Sequence, residues 1–179
     1  VLVKSAVQNG NLRATSIPDK ADVFILAVPT PLQSNNEPDL SYIKSAAEAI
    51  APFLEKGNLV ILESTSPVGT TQKLIEWMRQ ERRDLSFPEL GVKDIFDVFI
   101  AYCPERVLPG NVVSELVEND RIIGGMTAHC SEKAHDFYNN FIESECLITD
   151  SRTAELSKLV ENSFRDVNIA FANELSLIC

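Results

Sequence analysis

Five short β-forming runs, "ADVFILAV", "NLVILE", "DVFIAY", "DRIIGG" and "ECLITD", recur along the chain with helical patterns between them. That alternation admits few folds, because strands joined through helices pair in parallel and bury their faces under those helices. The expected class is α/β, a doubly wound and largely parallel sheet. "LRATS", ahead of the first run, is a weaker strand candidate. Between the first two runs, Ile43, Ala46, Ala47, Ile50, Ala51 and Leu54 form one apolar face at helical spacing, with Asp39 or Ser41 as its cap and Gly57 as its closing glycine. A second helix is expected from about Thr71 through "LIEWMRQ".

The alternation stops at Ser151. From there to Cys179 the helical period runs on without a stop signal, and Glu174 is the only charge after Asp166. A helix so long and so apolar must be covered on several sides. It is expected to be the spine of a second domain or a subunit interface. The first residue is not Met, the chain opens on what reads as the end of a helix, and it finishes inside another. Both ends are therefore expected to lie within a longer protein.

With 179 residues and 45% hydrophobic content the chain can build one core, not two full ones. Its 16 basic and 26 acidic residues give a net charge of -10, which repels a nucleic-acid backbone but leaves room for a small phosphorylated ligand held by local groups. No apolar run has the length of a membrane span. Cys103, Cys130, Cys146 and Cys179 are scattered without metal spacing, so reduced thiols and a cytosolic setting are expected, with no metal.

In such a sheet ligands gather where the strands end. Three loops there share a character: "AVPTP", "ESTSPVGTT" and "YCPERVLPG" are stiffened by prolines and carry short hydroxyls or a Glu-Arg pair. Thr30, Ser64, Thr65 and Thr71 suit ribose, phosphate or water, although Thr70 and Thr71 read equally well as helix caps. Glu105 and Arg106 read either as a solvated ion pair or as a carboxylate that holds a water beside a guanidinium that orients an anion. On the long helix Lys158, Asn162 and Arg165 share one stripe, continued by Ile169, Ala172 and Ser176. A stripe with that continuation is expected to lie in a covered cleft, where an amine can stabilise an oxyanion or move a proton.

Together "VPTP", "ESTSPVGTT", "YCPERVLPG", "RIIGG" and "SRTAELSKLVENSFRDVNIAFANE" resemble the UDP-glucose/GDP-mannose dehydrogenase family, in forms similar to its N-acetylhexosamine branch. The resemblance covers essentially the whole chain and implies the later part of a Rossmann-like NAD-binding domain, a partial doubly wound sheet, over 1–149, followed at 150–179 by the long helix that begins an all-α central domain. It implies a cytosolic, homodimeric enzyme that uses NAD to oxidise the primary alcohol of a UDP-sugar twice, through a cysteine thioester. It implies cofactor contacts at Thr30 and Thr71, and catalytic roles for Lys158, Asn162, Glu105 and Thr65. Substrate contacts are implied at Arg106, Val107, Arg165 and Asn168. The family's glycine-rich fingerprint and its "GGHC" cysteine segment are not in this sequence; they are expected on either side of it, and Cys179 is not that nucleophile. Pro109 stands where the UDP-glucose branch has a glutamate. Rival readings are another nucleotide-sugar dehydrogenase, for UDP-N-acetylglucosamine or UDP-glucose, the β-hydroxyacid dehydrogenases, with a similar Lys and Asn on a helix, and a non-catalytic binding or dimerisation module.

Overall fold

In the computed structural model, which describes residues 2–89, 95–107, 110 and 112–179, one five-stranded sheet carries six helices. The elements run α1 (Leu2–Gln8), β1 (Val23–Leu26), α2 (Ser41–Ile50), β2 (Leu59–Leu62), α3 (Thr70–Glu81), β3 (Phe99–Tyr102), α4 (Val112–Glu118), β4 (Arg121–Gly125), α5 (Ala128–Tyr138), β5 (Cys146–Asp150) and α6 (Ser151–Ile178). All five expected strands form and lie in chain order across the sheet. "LRATS" does not: residues 12–16 are exposed, irregular backbone.

β1, β2 and β3 are parallel, in register Val23 to Leu59 and Leu59 to Phe99. β4 then turns antiparallel to β3, with Tyr102 opposite Gly124, and β5 runs parallel to β4 from Arg121 and Cys146 onward. The reversal follows from α4, whose seven residues bury nothing and therefore cannot serve as a crossover packed on the sheet. Because β5 runs opposite to β2 and β3, the helix that follows it travels back across the sheet towards the carboxyl ends of those strands.

β2 is central and buried at every residue, and its alternation splits the core. Val60 and Leu62 face α2, α3 and the start of α6, with Ile43, Ala47, Leu74, Met78 and Ala154. Leu59 and Ile61 face α5, with Ala134, Tyr138 and Ile142. Each such side chain taken from water contributes about 1.5–3 kcal/mol, which outweighs any single polar contact here. α6 can lie on β4 only because residue 124 is glycine: a Cβ there would sit 2.5 Å from that of Ala154 and 2.6 Å from the Asp150 carbonyl.

Helix ends follow local chemistry. Asp39 Oδ1 accepts from the Ser41 amide at 2.9 Å, so it is Asp39 that serves the start of α2. Gly57 does not close α2, which gives way to a 3-10 turn at Ala51–Phe53; with φ 90° it sits in the turn into β2 and donates to the Asp97 carbonyl. Asp150 caps α6 by accepting from the Thr153 amide and hydroxyl at 2.9 and 2.6 Å. This chain alone does not cover α6 on several sides: every residue from Asn162 to Cys179 is exposed, since the sheet ends before them. Ile169, Ala172 and Ser176, the continuation of the polar stripe, are among them.

Candidate active site at the strand rim

The three proline-stiffened loops do meet at one rim. Thr30, after β1, donates its hydroxyl to the Thr65 carbonyl at 2.7 Å. Ser64, after β2, donates to the Val28 carbonyl at 2.7 Å and accepts from the Val28 amide at 2.8 Å, so it is a structural staple between the first two loops. Thr65 is half-buried, and among the described residues its hydroxyl has no partner.

The third loop folds around Glu105. Its Oε1 accepts from the Arg106 and Val107 amides at 2.6 and 2.8 Å, a carboxylate held by its own backbone. Its other oxygen lies 3.9 Å from Arg121, which is 5% exposed and also 3.2 Å from Glu63. The Tyr138 hydroxyl donates to Glu63 at 2.7 Å, and the Arg121 guanidinium stacks 4.5 Å from the Tyr138 ring centre. Burial, first of all, pushes the Tyr138 phenol well above its usual value. One arginine therefore balances two carboxylates at the base of the third loop. Leu108 and Pro109, the rest of that loop's expected motif, lie outside the described residues.

α6 arrives at this rim with three polar residues spaced by three. Glu155, fully buried, accepts from the Gly69 amide at 2.5 Å, the Thr71 amide at 2.7 Å and the Thr71 hydroxyl at 2.6 Å. Lys158 donates its amine to the Glu105 carbonyl at 2.5 Å. Glu161 takes the Arg106 guanidinium, with Nη2 at 2.9 Å and Nε at 3.2 Å, while Arg106 Nη1 donates to the Asp120 carbonyl at 3.2 Å. Desolvation lowers the Lys158 pKa, helped by Arg165 and Arg106 and opposed by Glu161 and Glu105. Desolvation works against the Glu161 charge, yet the hydrogen bond and charge of Arg106 outweigh it, and its pKa falls below the usual value.

Of the expected site residues, Thr30 and Thr65 are brought together, and so, as a second group, are Glu105, Arg106, Val107 and Lys158. Asn162, Arg165 and Asn168 are not: they are exposed on α6 beyond the sheet, and Asn168 merely donates to the Phe164 carbonyl at 2.7 Å. Thr71 differs from expectation as well. It is fully buried with its amide and hydroxyl both given to Glu155, so in this arrangement it offers a ligand no surface.

Glu155, Glu161, Arg121 and Glu63 were not singled out by the sequence. A signal for Glu155 existed: α3 begins after Gly69, which has no side chain to cap it, so its first amides require an acceptor from elsewhere. All four cysteines are free, and among the described residues no cluster could hold a metal and no helix is long and apolar enough to cross a membrane.

Comparison with known proteins places these features. The sequence profile of the UDP-glucose/GDP-mannose dehydrogenase family's NAD binding domain matches residues 1–142, and that of its central domain matches 152–179. The chain is 61% identical over 178 residues to the UDP-N-acetyl-D-mannosamine dehydrogenase of Escherichia coli, covering 99% of this chain and 42% of that protein. It is 60% identical to the NDP-N-acetyl-D-galactosaminuronic acid dehydrogenase of Ralstonia nicotianae, again over 42% of the relative's length. The solved UDP-N-acetyl-mannosamine dehydrogenase of Staphylococcus aureus superposes with a TM-score of 0.84 at 42% identity, over 98% of this chain and 41% of that one. The chain thus spans less than half of the relatives it matches, and through most of its own length it belongs to the UDP-glucose/GDP-mannose dehydrogenase family.

Proposed function

We propose that the protein to which this chain belongs is an NAD-dependent dehydrogenase that oxidises the primary alcohol of UDP-N-acetyl-D-mannosamine to the uronic acid in two steps. The observation that carries this reading is the meeting of the Lys158 amine with the Glu105 carbonyl at 2.5 Å, on a rim shared with Thr30 and Thr65. A partly desolvated amine there can hold the substrate oxygen as it loses its proton, and can return that proton later. Glu105, fixed by its own amides and by Arg121, is placed to orient a water, with Thr65 supplying a free hydroxyl beside it. Arg106 and Val107 would bind the sugar nucleotide, joined by Arg165 and Asn168 once α6 is covered, while Asn162 would act beside Lys158 in catalysis.

The residues present suit the nicotinamide end of NAD rather than its phosphates. Thr30 and Thr65 offer short hydroxyl and carbonyl groups, whereas the α3 amides that could bind a phosphate are already held by Glu155. Contact of Thr71 with the cofactor would require Glu155 to release its hydroxyl. NAD, when bound, takes up the hydride removed from the sugar carbon. The acyl stage is proposed to pass through a thioester on a cysteine outside this chain. The domain division at 1–149 and 150–179, a cytoplasmic homodimer and a role in bacterial surface polysaccharide synthesis belong to the same proposal.

The test is NADH formation by the full-length protein with UDP-N-acetylmannosamine, UDP-N-acetylgalactosamine, UDP-N-acetylglucosamine and UDP-glucose. The mannosamine substrate is expected to give the highest kcat/KM. Because the galactosaminuronic relative is almost equally identical, preference for the galactosamine substrate is the second reading. Absence of NADH with every sugar nucleotide would refute the dehydrogenase assignment.

A further inference from the structure

We infer that Glu155 is a positioning residue, one that locks α6 onto the turn before α3 and so sets the register in which Lys158 meets Glu105. The inference rests on the proposed role of Lys158. No other carboxylate among the described residues is so completely enclosed: Glu155 is fully buried, and both of its oxygens are engaged by donors from the other matched domain. Its partners are the Gly69 amide and the amide and hydroxyl of Thr71, at the positive end of a twelve-residue helix. That helix has no cap of its own, since its first flanking residue is Gly69 at φ 95°. The carboxylate and the helix start are therefore made for one another, and they fix α6 both along and about its axis.

Position on α6 gives this contact its consequence. Glu155 and Lys158 are three residues apart on one side of the helix, with Glu161 three further on. The turn that Glu155 grips, Ser66 to Thr71, follows directly on Thr65, and Thr65 is tied through its carbonyl to Thr30. One buried anchor thus sets the distance between the amine on α6 and the hydroxyl rim after β1 and β2. The other two contacts constrain α6 less, because Lys158 is half-exposed and the Glu161 pair with Arg106 is about a third exposed at 30% and 33%. An anchor shifted by an ångström displaces the amine by as much, enough to cost rate without costing substrate affinity.

A purely structural role and a positioning role separate in a double-mutant cycle on the full-length enzyme. Glu155→Gln keeps the length and one acceptor, Lys158→Ala removes the amine, and the pair is combined. Glu155→Gln should lower kcat about tenfold or more while leaving the KM for NAD and for the sugar nucleotide within about threefold. In the Lys158→Ala background the same change should have no further effect on kcat. Losses that multiply, or a Glu155→Gln enzyme at wild-type kcat with only a lowered Tm, would overturn the inference. Wild-type turnover by Lys158→Ala would instead remove Lys158 from the mechanism, and the inference with it. Should Glu155→Gln not fold, Thr71→Val removes a single donor from the same contact. It is expected to lower kcat about threefold and to do nothing once Lys158 is Ala; multiplied losses there would overturn the inference equally.

Discussion

The first turns of α6 and its later turns are one uninterrupted helix with an inverted pattern of burial. Near the sheet a carboxylate, Glu155, is 0% exposed; further along, Phe164 is 72% and Leu177 81% exposed. Hydrophobicity alone would have assigned these the other way round. The difference shows that burial here is set by what stands opposite each turn. The proximal turns face helix amides, a loop carbonyl and a guanidinium, which call for charge. The distal turns find no cover among the described residues.

The sharpest way to break this contrast is to remove the anchor. Glu155→Ala should destabilise the protein by about 3–5 kcal/mol, because buried amides at the start of α3 lose their acceptor. Guanidinium unfolding would measure it, and a loss below about 1 kcal/mol would make the proximal turns no different from the distal ones. Next in size is Lys158→Ala in the full-length enzyme, expected to lower turnover about a hundredfold, equivalent to roughly 2.7 kcal/mol, with little change in Tm. Unaltered steady-state rates would return Lys158 to the status of a helix-face cation.

Smaller effects sharpen the boundary between the two regions. Glu161 sits at it, and its pKa is lowered in the folded state from 4.5. A carboxyl with a depressed folded pKa contributes stability above its unfolded value and loses it as pH falls through the folded one. Wild type should therefore exceed Glu161→Gln by under about 1 kcal/mol near neutrality, the pair being partly solvated, and the two should converge in acid. Urea melts at both pH values would show it; a gap that persists in acid would mean that packing, not charge, makes the contact. Least of all should Phe164→Ser matter in this chain, within about 0.5 kcal/mol by the same melts. A larger loss would reveal that the distal turns are covered after all.

What the sequence disclosed follows the same divide. Alternating runs such as "NLVILE" announced β2 because strand period and burial coincide there, and the proline-stiffened loops announced the rim because strand ends must turn. "LRATS" had strand composition but pairs with no strand, and composition cannot supply a partner. Lys158 was legible from its stripe, although within this chain the stripe's continuation through Ile169 and Ser176 is exposed and the amine is sheltered by the Glu105 loop. Glu155 was passed over because a lone acid in a helix usually faces water. Only its pairing with an uncapped helix 84 residues earlier in the chain explains it.

The length of α6 gives its anchor a mechanical meaning. Its 28 residues extend about 42 Å, and the 17 beyond Glu161 make an arm of about 25 Å. A tilt of about 10° about the Glu155 contact moves the tip of the helix, about 34 Å from that pivot, by about 6 Å, but moves Lys158, close to the pivot, by under about 1 Å. α6 is thus a lever with its fulcrum beside the Lys158 amine: large excursions at the far end are geared down to small ones at the rim.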